Sequence, residues 1–262
     1  MCLILFSYKQ HPRYPLIFAA NRDEFYGRPA SPLAFWDEAP DLLAGRDLKG
    51  GGTWLGLSRT GRWAGVTNYR EGLKLKADAP SRGHLITRYL RGNASPEAYL
   101  TALDPPADAY NGFNMLLGDT EGLYYFSNRQ EGIHRLEPGL YGLSNHLLDT
   151  PWPKVVRGKE ALRAHLDGEV INPETLLPLL ADTAMAADDL LPETGVGIER
   201  ERVLSSMFIK TPMYGTRAST VFLIDNEGKG TIIERTFPTN GDPAFETSFS
   251  LNLTSALHPS HP

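Results

Sequence analysis

The sequence is poor in cysteine, in long apolar runs and in clustered basic charge, and each shortage closes off a class of function. Cys2 is the single cysteine among 262 residues. No intrachain disulfide can form, and cysteine-built zinc and iron–sulfur sites need several thiolates. The seven histidines fall into no ligand pattern such as H-E-x-x-H. No metal site is expected. The longest apolar run near the start, residues 3–6, gives way to Ser7, Tyr8 and Lys9. It is too short for a secretory leader or a membrane span, so a cytoplasmic protein is expected. Lys and Arg number 26 against 31 Asp and Glu, a net charge of −5, with a pI near 5.8. Without a basic cluster, nucleic acid is not an expected partner. A small-molecule ligand or substrate is.

What is present is ordinary globular material. Hydrophobic residues make up 41% of the chain, enough for a full core. No linker, charge block or repeat divides it, so one domain is expected over residues 1–255. The Pro/His-rich end, 256–262, reads as a frayed tail.

Strand signals occur at 2–8 and 16–21, then at 53–58 and 62–68. Residues 22–42 are Pro-rich and read as a long loop. Two helices follow, the first started by Ser81 and carrying Leu85, Ile86, Tyr89 and Leu90 on one face. The second is started by Ser95 with Pro96 and Glu97 in its first turn. Short strands are expected at 113–117, 123–127, 133–136 and 140–144. A second helical block is expected at 152–166 and, after Asn172–Pro173, at 174–182. Strands return at 216–225, 231–237 and 245–251. Strand and helix blocks do not alternate one by one, which argues against a parallel βαβ sheet. The order fits an α+β fold in which mainly antiparallel sheets are covered by two helical blocks, and a four-layer αββα sandwich with two sheets is one such solution.

Cys2 is the first candidate for chemistry. Removal of Met1 would place a thiol and an α-amine on one residue. Their reference pKa values, roughly 8.5 and 7.7–8.0, are close enough for the amine to take the thiol proton. The thiolate then attacks a carbonyl, and no histidine is needed. The alternative is a small residue buried in a strand, a common fate of free cysteine. Asn21, Arg22, Asp23 and Glu24 end the second strand. Alternation puts Asn21 and Asp23 on one face and Arg22 and Glu24 on the other, unless a bulge intervenes. Asp23 could hold an ammonium and Arg22 a thiolate; the bland alternative is a solvated turn. The Gly50-Gly51-Gly52 run fits neither a Walker A loop nor G-x-G-x-x-G. It reads as a place where backbones approach closely.

Met1-Cys2-Leu3-Ile4, Asn21-Arg22-Asp23-Glu24, Asp47 with Gly51-Gly52-Thr53-Trp54, Thr67-Asn68-Tyr69-Arg70, Gly142-Leu143-Ser144-Asn145 and Gly215-Thr216-Arg217 occur in that order. This ordered set resembles the NRDE-motif family, also called the transport and Golgi organisation protein 2 family, from residue 1 to about 237. The resemblance implies an Ntn-hydrolase-like fold related to choloylglycine hydrolases and penicillin V acylases. Carried over by motif, the catalytic candidates are Cys2, Arg22, Asp23, Asn68, Asn145 and Arg217, with the two asparagines as oxyanion or amine-orienting donors. Asn21, Glu24, Trp54, Tyr69 and His146 are candidates for substrate binding. Further wall residues are expected among Phe25, Tyr26, Phe35, Trp36 and Trp63. In the hydrolase group the Arg and the Asp are separated, whereas Arg22 and Asp23 are adjacent.

Two functions follow from the resemblance. One is an N-terminal-cysteine hydrolase acting on a small amide or thioester, with no cofactor required. The other is a carrier of haem or of an acyl-CoA, since members are associated with haem trafficking and acyl-CoA metabolism. His84, His134 and His146 are then conceivable haem ligands, although hydrogen-bonded histidines are the plainer reading.

Overall fold

The structure, a computed structural model, describes residues 2–72, 75–238 and 242–253. Met1 and the tail expected at 256–262 lie outside the described residues.

Two antiparallel sheets face each other. The first contains β1 (Cys2–Tyr8), β2 (Leu16–Phe25), β10 (Gly139–Leu143), β11 (Tyr214–Ile224), β12 (Lys229–Thr236) and β13 (Phe245–Asn252), in the order β10-β1-β2-β11-β12-β13. The second runs β3-β4-β5-β6-β7-β8-β9. Its strands are β3 (Ala30–Trp36), β4 (Ala39–Asp47), β5 (Leu55–Ser58), β6 (Trp63–Asn68), β7 (Phe113–Gly118), β8 (Leu123–Ser127) and β9 (Ile133–Arg135).

Period-2 alternation sorts the apolar residues into layers. Ile4 and Phe6 of β1, with Phe18 and Ala20 of β2, point between the sheets and meet Leu57, Trp63 and Leu116. Leu3, Leu5, Ile17 and Ala19 point the other way. They are covered by α3 (Pro153–Arg163) and by the 3-10 turns Pro173–Leu176 and Pro178–Ala181. The outer face of the second sheet is covered by α1 (Gly83–Arg91) and α2 (Pro96–Thr101), with Leu85, Ile86 and Tyr89 on Ala64, Val66 and Leu117. Three apolar layers between four structural ones make the expected αββα sandwich.

Three local expectations are corrected. The segment 22–42 is strand, not loop: β2 runs on to Phe25, and β3 and β4 follow. Its prolines misled because β3 lies at the edge of its sheet, where Pro32 interrupts no ladder on the open side. The helix expected at 174–182 is two 3-10 turns. Pro178 has no N–H to give to residue 174, and its ring clashes with that carbonyl. Ser81 does not cap α1 with its side chain; Arg82 occupies the cap position and makes no side-chain capping bond. Ser95 does cap α2, accepting from the Ala98 amide at 3.3 Å. A helix without an expectation, α4 (Ile198–Leu204), closes the set.

Candidate active site

Cys2 opens β1 opposite Arg22 of β2. By alternation its side chain shares the inter-sheet face with Ile4 and Phe6, and at the strand's end that face leaves the apolar core. There Cys2, Arg22, Asp23, Glu24, Trp54 and Asn68 line a cavity of about 450 Å³. Ser81 and Arg82, just before α1, and Gly83, its first residue, also line it. Cys2 is only 8% exposed. Burial pushes its thiol up, while the charge of Arg22 and a hydrogen bond from the Asp23 amide act in the opposite direction.

The Asn21–Glu24 block splits by face. Arg22 and Glu24 are half-buried on the cavity side, whereas Asn21 and Asp23 are buried. Arg22 makes no side-chain hydrogen bond or ion pair that holds it among the described residues, so its guanidinium is available to a ligand. Asn21 is committed to the interior. Its Nδ2 donates to the carbonyls of Leu180 and Met207 at 2.8 and 2.9 Å, and its Oδ1 accepts from Ser219 Oγ at 2.6 Å. It stands under the helical layer, away from the cavity where a substrate contact was expected.

Asp23 accepts from Thr216 Oγ1 at 2.7 Å. Burial pushes its carboxyl up, opposed among others by Lys154, by that hydrogen bond and by Arg22. Thr216 and Ser219 are three apart, so an unbroken strand would point them to opposite faces. A bulge between Thr216 and Ala218 absorbs one residue, and both hydroxyls meet the β2 face. Arg217 is the absorbed residue. Its Nη1 donates to the carbonyls of Phe25, Tyr26 and Arg28 at 2.9–3.2 Å. It lines a neighbouring cavity of about 230 Å³ that shares Arg22 and Trp54 with the first. Arg217 thus ties down the chain after β2 and reaches the Cys2 cavity only across Arg22.

Asn68 ends β6, lines the cavity and makes no side-chain bond to a described residue. Asn145 stands directly behind it, fully buried, donating from Nδ2 to the Asn68 carbonyl at 2.9 Å. Ser144 Oγ donates to the Cys2 carbonyl at 3.1 Å. The two asparagines therefore differ: the Asn68 amide is open to a ligand, and the Asn145 amide holds the wall that carries it.

Tyr69 and His146 hold each other, Tyr69 Oη to His146 Nε2 at 2.7 Å, and His146 Nδ1 meets Thr150 Oγ1 at 2.9 Å. Burial lowers the His146 pKa. Both ring nitrogens are engaged, and neither residue lines the Cys2 cavity. Of the aromatic residues expected in its wall, Trp54 is there. Trp63 belongs to the inter-sheet core and Trp36 packs under α1. Among the described residues no group of three His, Cys, Asp or Glu gathers where it could hold a metal ion.

The glycine run has a steric role. A Cβ on Gly52 would lie 2.5 Å from the Gly83 carbonyl carbon, so only glycine lets this loop abut the start of α1. Asp47 fixes the loop from the other end, accepting from the Lys49 and Gly50 amides at 3.0 and 2.9 Å and pairing with Arg28. Burial alone would raise its pKa; Arg28 and the Gly50 amide outweigh that and hold it below the ordinary range.

The sequence did not single out Lys154, Glu201 or Arg82. Lys154 on α3 is 1% exposed, and Glu201 is 3% exposed and paired with Arg70. The available signal for Lys154 was its spacing: 154, 158 and 162 lie on one helix face, and Gly158 and Leu162 are buried.

Comparison with known proteins agrees with this architecture. The penicillin V acylase from Agrobacterium tumefaciens superposes with a TM-score of 0.50 at 13% identity, covering 98% of this chain and 87% of that one. An N-acylethanolamine-hydrolyzing acid amidase ortholog from Caenorhabditis elegans gives 0.51 at 11%, covering 85% and 92%. At such identities the likeness speaks of fold alone, and the fold is that of the Ntn hydrolases. Sequence similarity reaches further. The Transport and Golgi organization protein 2 homolog of Bos taurus is 36% identical over 269 residues, 95% of this chain and 97% of that protein. The Homo sapiens homolog is 36% identical over 256 residues, 90% and 92%. The family model described as Transport and Golgi organisation 2 matches residues 1–239. By sequence over nearly its whole length, the chain belongs to the Transport and Golgi organisation 2 family.

Proposed function

We propose that this protein is an N-terminal-cysteine acyl hydrolase acting on a small amide or thioester. The observation that carries the reading is Cys2 in the wall of a 450 Å³ cavity, with an uncommitted guanidinium and an uncommitted amide, Arg22 and Asn68, in the same wall. With Met1 removed, the Cys2 α-amine takes the thiol proton. The sulfur bonds to the substrate carbonyl carbon, and negative charge moves to the carbonyl oxygen, where Asn68 can donate. The carbon–nitrogen or carbon–sulfur bond then breaks, and the amine returns the proton to the leaving group. Water, deprotonated by the same amine, releases the acid and frees the sulfur. Solved proteins of similar fold include an acylase and an amidase by name, which supports this reaction class.

Intact mass of the purified protein tests the reading. Met1 is expected to be absent, and an activated acyl ester is expected to add one acyl group to wild type. In Cys2→Ala acylation should fall by several orders of magnitude. A retained Met1, or equal labelling of the two proteins, would sink it.

The second reading is a carrier of haem or an acyl-CoA. It is favoured by the same half-buried Arg22, a cation placed to hold a carboxylate or phosphate. Titration of wild type and Cys2→Ala with haem and with an acyl-CoA separates the two. Binding retained in the variant, with no turnover in wild type, selects the carrier.

A further inference from the structure

Beneath the first sheet, on the side away from the cavity, lies a buried ammonium with no evident structural use. Lys154 follows Pro153 at the start of α3. Its helix face is turned to the sheet: at Gly158, four residues on, a Cβ would lie 2.6 Å from Leu5, and Leu162 is fully buried. Lys154 is 1% exposed, and its Nζ has no hydrogen-bond partner among the described residues. Burying an unpaired charge is among the most unfavourable arrangements in a protein interior. An apolar side chain of similar length would fill the same space without that cost.

Four charged or titratable groups face this ammonium: Asp23 from β2, Cys2 from β1, Arg70 just after β6 and Glu201 from α4. Two of them are bound to each other. Arg70 pairs with Glu201 and lies 4.6 Å over the Trp152 ring. The remaining oxygen of Glu201 accepts from the Thr194 amide and hydroxyl. The other carboxylate is Asp23, which accepts from Thr216 Oγ1, is also faced by Arg22, Arg70 and Tyr214, and adjoins the start of β1.

We propose that Lys154 is a positioning residue of the Cys2 site: its ammonium steadies the Asp23 carboxylate beneath the sheet, so that Asp23 can anchor the α-amine of an N-terminal Cys2. The proposal rests on the N-terminal-cysteine reading above. Burial pushes the Asp23 carboxyl up, and Lys154 is the first described side chain to oppose it. Burial likewise pulls Lys154 down to about 8, and Asp23 opposes that. Each favours the charged form of the other. Without Lys154, Asp23 takes up a proton at higher pH and ceases to accept from an ammonium. The dependence on pH has a definite sign: the acid limb of reactivity, set by ionisation of Asp23, moves upward.

The chain's single cysteine makes the test clean. Full-length protein with Met1 removed is treated with p-nitrophenyl acetate across pH. Acetyl transfer to Cys2 sulfur, with departure of nitrophenolate, is followed by intact mass. In Lys154→Met, acylation at pH 7 should slow about tenfold, the acid limb should rise by about one pH unit, and the rate should recover at higher pH. Lys154→Arg should restore the wild-type limb. Adding Lys154→Met to Asp23→Asn should change nothing further, since the lysine acts through Asp23. Lys154→Gln carries the same comparison if the Met variant does not fold. A limb that stays in place, or a double variant whose losses add, overturns the proposal and leaves the nucleophile reading standing. Wild-type Cys2 that stays unacylated at every pH removes the nucleophile reading, and the proposal with it.

Discussion

The two faces of β2 at its final turn-ward residues are built to opposite ends. On one face Arg22 and Glu24 open on a cavity, and no side chain among the described residues holds Arg22. On the other face Asn21 makes three buried hydrogen bonds, and Asp23, which also reaches the cavity wall, accepts from Thr216 and is faced by Lys154. Four consecutive polar residues thus serve two purposes. The strand's period of two alone separates them. The sealed face carries stability and fixes charge; the open face carries what a ligand meets.

Substitutions should divide along that line. Arg70→Met on the sealed side leaves Glu201 buried without its cation. We expect a loss of about 3–5 kcal/mol in denaturant unfolding. A loss below 1 kcal/mol would show that this side is less sealed than its burial implies. Asn21→Leu should cost about 2–4 kcal/mol, because the carbonyls of Leu180 and Met207 and the Ser219 hydroxyl lose their partner in a dry interior. Arg22→Leu, one residue along, should change stability by less than about 0.5 kcal/mol. Its acylation rate at Cys2 should nevertheless fall, on the order of tenfold, as the thiolate loses a nearby cation. Equal destabilisation by Asn21→Leu and Arg22→Leu would erase the distinction between the faces.

Much of this is legible in the sequence. The strand signal at residues 2–8 set β1 to the residue, and the apolar stripe at 85, 86, 89 and 90 set the buried face of α1. The split of Asn21 and Asp23 from Arg22 and Glu24 also followed from alternation. The β3–β4 hairpin was hidden by its prolines, which count against strand only where both edges must pair. Lys154 was hidden because a lysine two residues into a helix is ordinarily solvated. Only the packing of α3 on Leu5 reveals that this one is enclosed.

By itself the sequence determined the layer order, the family and the set of residues able to do chemistry, because short-range periodicity and motif order are written in the chain. Tertiary structure decided which of those residues meet a ligand. The bulge at Arg217 turns Thr216 onto Asp23, the Gly52–Gly83 approach brings α1 to the cavity, and Asn145 comes to rest behind Asn68. Each of these depends on segments far apart in sequence closing on one another, and steric fit between distant backbones leaves no local pattern to read.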